Sequence, residues 1–152
     1  MRESVRPSIS RSAGSAGGQD ERQLCEDVAH RAGLPASAVL AGRTSVKALA
    51  DVLAAAPLVV SGDTGVAHLA AAYDRPAVAL FGPTPPSRWA PLWGRTTVLW
   101  HGTEPGDPHA PETDPALAAI DVDEVWAAAQ DRLDRFSGSR PGTTAPSEPA
   151  RR

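Results

Sequence analysis

An α/β fold with an open parallel sheet is what this sequence predicts, and three observations carry the prediction. Two short apolar runs, Leu58–Val60 and Ala77–Phe81, flank an alanine-rich stretch. Neither run alternates, as expected of strands buried on both faces of a parallel sheet. Each run ends in a glycine-containing loop, Ser61–Gly65 and Gly82–Pro91, and ligands bind at the carboxyl ends of such strands. The chain's 152 residues suffice for one domain with a real core.

The elements are justified in order. Residues 1–16 are rich in Ser, Arg and Gly and should be disordered; Arg2, Arg6 and Arg11 make them basic. An α/β domain should open with an apolar strand, and Val5–Ile9 is a poor one because Pro7 interrupts it. Asp20–Ala32 reads as a helix capped by Asp20, with an apolar stripe of Leu24, Val28 and Ala32. Cys25 beside the stripe reads as a core thiol rather than a nucleophile, since no partner base is marked. Gly33 stops the helix. Ala38–Leu40 suits a short strand. Thr44 or Ser45 should cap a second helix reaching about Ala55, buried through Val46, Leu49, Val52 and Leu53.

After the central strand, turn, helix and strand comes the proline-rich loop GPTPPSRWAPLWG. Trp89 and Trp93 in it are expected to pack over the sheet's carboxyl edge. Thr96–Trp100 looks like a further strand, and 101–118 like an extended crossing. Asp121 or Asp123 should cap a last helix reaching about Phe136. Val122, Val125, Trp126, Ala129 and Leu133 form its expected docking face. Residues 137–152 read as a disordered tail, leaving 17–136 as the folded domain.

Composition narrows the function classes. A net charge of −3 gives no signal for nucleic acid. One cysteine allows no internal disulfide and suggests no metal cluster. No apolar run is long enough to span a membrane and no signal peptide is visible, so a cytoplasmic protein without an integral membrane segment is expected.

Asp63–His68 is the first candidate site. A helix start offers free backbone amides and partial positive charge to an anion. Gly62 and Gly65 let backbone approach a phosphate, Thr64 adds a hydroxyl, and His68 lies one turn along on the same face. The simpler alternative is that Asp63 and Thr64 only cap the helix and His68 is a packed histidine. Asp63 would repel a diphosphate, so its carboxylate either caps or accepts sugar hydroxyls. The spacing is neither that of a P-loop nor GxGxxG, and Asp63 with His68 does not make a metal site. Gly42–Ser45 is a second loop before a helix, where Thr44 or Ser45 could touch a nucleotide or simply cap.

The run from Ala41 to Pro91 resembles the carboxyl-terminal domain of family 9 glycosyltransferases, the ADP-heptose:lipopolysaccharide heptosyltransferases and their relatives. The resemblance rests on Gly42, Thr44 and Ser45, on Asp63, Thr64, Gly65, His68, Leu69 and Ala70, and on Phe81, Gly82, Pro83, Thr84, Trp89 and Pro91. Val46 stands where the pattern has Leu. The resemblance implies a Rossmann-like donor-binding domain, one half of a GT-B glycosyltransferase, without a cofactor or bound metal. It implies inverting transfer of a heptose or related sugar from an ADP-sugar donor to a glycan or lipopolysaccharide-core acceptor. Donor-binding roles then fall on Asp63, Thr64, Gly65, His68, Thr44, Ser45, Gly82 and Thr84, and no catalytic base is assigned. The pattern departs at the amino-terminal side. An acceptor domain is not seen, the first strand is missing or replaced by residues 1–16, and Lys47, the single lysine, lies inside a helix. A truncated donor domain follows, dependent on a separate acceptor domain or self-associating. A non-catalytic nucleotide- or protein-binding α/β module, or a remnant, is the alternative.

Overall fold

The structure, a computed structural model, describes residues 13–138. Of the expected leader 1–16 the residues up to 12, and of the expected tail 137–152 those from 139, lie outside them. The described residues form two compact units that divide after Val52.

In the first unit, Ser15 pairs with Val39 in a parallel bridge. Ser15 N–H donates to the Ala38 carbonyl at 2.9 Å, and Leu40 N–H returns to the Ser15 carbonyl at 2.7 Å. The expected strand Ala38–Leu40 is therefore a single bridge, because residues Ala36–Ala38 turn as a 3-10 helix. Helix α1 spans Arg22–Arg31. Asp20 does not cap it; the N-cap is Glu21, whose carboxylate instead accepts from Gly18 N–H at 2.7 Å. The expected stripe is also displaced. Leu24 is 64% exposed and Val28 is exposed, while Cys25 and Ala29 are buried with Val39 and Ala41. Leucine and valine outrank cysteine and alanine on a hydrophobicity scale, but the smaller pair fits the close approach to Val39. Gly33 ends α1 at φ 66°, with Gly33 N–H on the His30 carbonyl and Leu34 N–H on the Ala29 carbonyl at 2.9 Å. This paired closure needs a left-handed residue and folds Leu34 onto the core.

Helix α2, Val46–Ala55, is capped by Ser45, whose Oγ accepts from Ala48 N–H at 3.2 Å. Its expected buried face is mostly open. Only Leu53 is buried; Val46 and Val52 are exposed.

The second unit is a three-stranded parallel sheet ordered β1-β2-β3, with β1 Val59–Gly62, β2 Pro76–Leu80 and β3 Arg95–Leu99. The register sets Val59 beside Ala77 and Val78 beside Thr97. Helix α3, Gly65–Ala72, crosses from β1 to β2, and its buried Ala67, Ala70 and Ala71 face the sheet. Ala77, Val78 and Ala79 are all fully buried. Successive strand side chains point to opposite faces, so both faces of β2 are covered. Asp74 takes the left-handed position after α3 at φ 51°, and its carboxylate pairs with Arg95 at 3.1 Å.

Phe81 continues the β2–β3 ladder, donating to the Leu99 carbonyl at 2.9 Å. It is fully buried with Ala67 and Ala79, and Val98 and Trp100 pack against that cluster. Trp100 Nε1 donates to the Gly82 carbonyl at 2.9 Å. Phe81 and Trp100 thus seal this end of the core. Trp89, at the end of the short helix α4 (Pro86–Trp89), and Trp93 are left 60% and 66% exposed, contrary to expectation.

The expected extended crossing contains helix α5, Pro115–Ala118, whose cap Asp114 accepts from Ala116 and Leu117 amides. Helix α6, Val122–Gly138, packs on β2 and β3. Asp121 caps it, accepting from Glu124 N–H at 2.7 Å. Ala129 is buried and Trp126 and Leu133 half-buried, but Val122 is 80% exposed and leaves the docking face. Arg132 anchors the helix by donating to Thr97 Oγ1.

Among the described residues, no helix is long and apolar enough to cross a membrane.

Candidate functional site

The β1–α3 junction gathers four of the residues singled out from sequence. β1 ends at Gly62, Asp63 and Thr64 make the turn, and Gly65 is the first residue of α3. Thr64 is extended, φ −143° and ψ 169°, and its side chain makes no capping hydrogen bond. The helix start is therefore not closed by its own hydroxyl, and the first amides of α3 lack an intrahelical partner, as at any helix start. A Cβ added at Gly65 would meet no atom within 4 Å, and its φ is not positive. The fold does not require glycine there, which leaves open space before the helix amides.

His68 lies one turn along α3, and Asp63, Thr64, Gly65 and His68 are all exposed. Partial burial raises the Asp63 carboxyl from its ordinary value, and the nearby His68 acts to lower it. Just before the turn, Ser61 Oγ is buried with no hydrogen-bond partner among the described residues.

Gly82 and Thr84 follow the neighbouring strand. Gly62 pairs with Leu80, so the end of β2 stands beside the end of β1. Gly82 is buried, and a Cβ there would lie 3.1 Å from Leu117 Cβ. Only its backbone faces neighbours. Thr84 is half-buried. Thr44 and Ser45 belong to the first unit, where Thr44 is half-buried and Ser45 caps α2.

A cavity of about 200 Å³ opens beside His68, lined also by Ser87, Arg88, Trp89, Ala90, Leu92 and Trp93. Sequence reasoning singled out Trp89 but expected it to be packed, and passed over Ser87 and Arg88. The signal was two tryptophans and an arginine close together in one loop. Among the described residues no group of three or more His, Cys, Asp or Glu could hold a metal ion.

The comparisons with known proteins agree on one family. The family model described as "Glycosyltransferase family 9 (heptosyltransferase)" matches residues 16–119. The chain is 42% identical over 60 residues to a lipooligosaccharide heptosyltransferase 2 of Haemophilus influenzae, covering 40% of this chain and 17% of that protein. It is 49% identical over 67 residues to a lipopolysaccharide heptosyltransferase 1 of Pseudomonas aeruginosa, covering 44% and 18%. The chain thus spans less than a fifth of these relatives. Among solved structures, an E. coli ADP-heptose lps heptosyltransferase II matches at TM-score 0.67 and 26% identity, over 80% of this chain and 36% of that one. A family 9 glycosyl transferase from Veillonella parvula matches at TM-score 0.63 and 21% identity, over 79% and 36%, which speaks to the fold alone.

Proposed function

The chain belongs to glycosyltransferase family 9, and from that premise we propose that it holds the donor site of an inverting glycosyltransferase. The donor is an ADP-sugar of the ADP-heptose type, and the acceptor is a glycan of the lipopolysaccharide-core kind. The relatives' heptosyltransferase names support the sugar class. The observation that carries the reading is the β1–α3 junction, where Gly65 leaves the helix amides approachable and His68 stands one turn behind them.

In this chemistry an acceptor hydroxyl attacks the anomeric carbon and loses its proton to a base, while the bond to the diphosphate breaks. The residues here act on the departing group. The amides at Thr64 and Gly65 and the partial positive charge of α3 stabilise the diphosphate as its negative charge grows. His68 adds one hydrogen bond. The charged form of Asp63 repels phosphate, so its carboxylate serves sugar hydroxyls under this reading. Thr84, which follows the neighbouring strand, is a further donor contact under this reading, and Gly82 contributes backbone. A user of nucleotide sugars works where they are made, which calls for the cytoplasm.

Titration calorimetry of the 152-residue chain with ADP and with ADP-heptose tests the proposal. Binding of both, tighter for ADP-heptose, is expected. A folded chain that binds neither would refute it.

A further inference from the structure

Residues 82–86, which follow β2, have little with which to hold themselves. Three of the five are prolines, so only Gly82 and Thr84 carry a backbone N–H. The carbonyls of such a stretch must find their donors elsewhere. We propose that the crossing after β3 positions this loop for the donor, with Gly106 and Asp114 as the positioning residues that act on Thr84 through Pro83. The inference rests on the donor-site reading, in which Thr84 is a donor contact.

The crossing leaves β3 beside the loop, because Leu99 at the end of β3 pairs with Leu80 at the end of β2. It gives the loop two hydrogen bonds. Trp100 Nε1 donates to the Gly82 carbonyl at 2.9 Å, and Gly106 N–H donates to the Pro83 carbonyl at 2.7 Å. Both peptides that lead into Thr84 are thereby fixed from outside the loop. Two glycines make this approach possible. A Cβ at Gly102 would lie 2.5 Å from Trp100 Nε1, so glycine lets the chain fold back against the indole that holds Gly82. A Cβ at Gly106 would lie 2.6 Å from Asp114 Oδ2 and 3.1 Å from Pro83 Cβ. Gly106 is therefore wedged between the loop and the Asp114 carboxylate. That carboxylate is itself held, because Oδ1 accepts from Ala116 N–H at 2.9 Å at the start of α5.

Core packing does not account for the crossing. Every residue from 103 to 113 is exposed, so this stretch buries almost no apolar surface. What it does direct inward is a backbone donor, and that donor meets the loop. A loop fixed in its binding geometry before the ligand arrives loses less freedom on binding, which is where such a support gains affinity.

The test uses the 152-residue chain and the variants Gly106→Ala, Asp114→Ala, Asp114→Asn, Thr84→Ala and Gly106→Ala/Thr84→Ala. Trp126→Ala, which destabilises from α6, is the control. Thermal unfolding checks that each protein folds, and the readouts are calorimetry with ADP-heptose and amide NMR spectra. Gly106→Ala and Asp114→Ala should each weaken ADP-heptose binding about tenfold and shift the Thr84 amide resonance. Asp114→Asn keeps the cap and the shape, so it should bind as the parent does, and so should Trp126→Ala. The double variant should bind no more weakly than Thr84→Ala alone, because a displaced loop has already lost that contact. Parental affinity in Gly106→Ala would overturn the inference. So would additive losses in the double variant, or an equal loss in Trp126→Ala, since the effect would then follow stability rather than position. A parent chain that binds neither ADP nor ADP-heptose would remove the donor reading. The Thr84 resonance would then decide alone: a shift in Gly106→Ala supports the positioning role, and an unmoved resonance overturns it.

Discussion

Gly65→Ala separates a glycine kept for ligand access from one kept for the fold. The residue opens α3, its φ is not positive, and no atom lies within 4 Å of where a Cβ would stand. The fold therefore gains from alanine. Restricting the unfolded chain and improving helix propensity should stabilise by about 0.4–1 kcal/mol. Binding should move the other way, because the methyl group occupies the space through which a phosphate reaches the Thr64 and Gly65 amides. Lengthening or losing one hydrogen bond to a charged group costs roughly 1.5–3 kcal/mol, a ten- to hundredfold loss of ADP affinity. Gly94→Ala is the control. Gly94 sits at φ 92°, and a Cβ there would lie 3.0 Å from both Cα and Cβ of Ala71. That variant should lose stability while leaving the β1–α3 turn chemically unaltered. The assay is thermal unfolding together with ADP calorimetry on both proteins. A Gly65→Ala protein that binds ADP as the parent does would refute the reasoning, and so would one that unfolds earlier.

Three further outcomes follow from the same geometry. His68→Ala should weaken ADP binding ten- to a hundredfold without lowering the melting temperature, because the side chain is exposed; calorimetry reading an unchanged affinity would exclude it from the site. Asp63 has its carboxyl raised by the surrounding protein. Its protonated form favours the folded state, so its contribution is full below the ordinary value of 3.8 and is lost as pH rises through its folded value. A bound diphosphate raises it further, so ADP should bind more tightly as pH falls from 7 toward that value. Measured in a His68→Ala background to remove the imidazole, the pH slope should change on Asp63→Asn beyond the common contribution of ADP's own terminal phosphate, and identical slopes in the two proteins would assign the proton elsewhere. Trp126→Ala removes a half-buried indole from the α6 docking face. Full burial would cost about 3–5 kcal/mol, so roughly half of that is expected, and an unchanged denaturation midpoint would mean that α6 docks through Ala129 and Arg132 alone.

The second unit was legible in the sequence because its signals are local and strong. Non-alternating apolar runs suit strands covered on both faces, and the structure buries Ala77, Val78 and Ala79 completely, whereas Val60 of the first run, in the strand at the end of the order, is 50% exposed. The last helix was legible for a similar reason, since an aspartate before an apolar-periodic run is a cap and Asp121 serves as one. Helix α5 carried an equally local signal, an aspartate followed by proline, but a region with four prolines reads as extended before one asks which proline can begin a helix. What could not be read was partner choice. Leu24 and Val28 have the right period for a buried stripe, yet periodicity names a face and not what covers it; the first unit uses the smaller Cys25 and Ala29 instead. Trp89 and Trp93 show the same limit from the other side. Size argues for burial, but Phe81 and Trp100 close this end of the core, and Trp89 and Trp93 stay exposed. Trp89 and Trp93 line the cavity beside His68, whereas Leu24, Val46 and Val122 depart from their expected burial elsewhere. An aromatic pair left in water is an exposed apolar surface of the kind that a ligand or a protein partner covers.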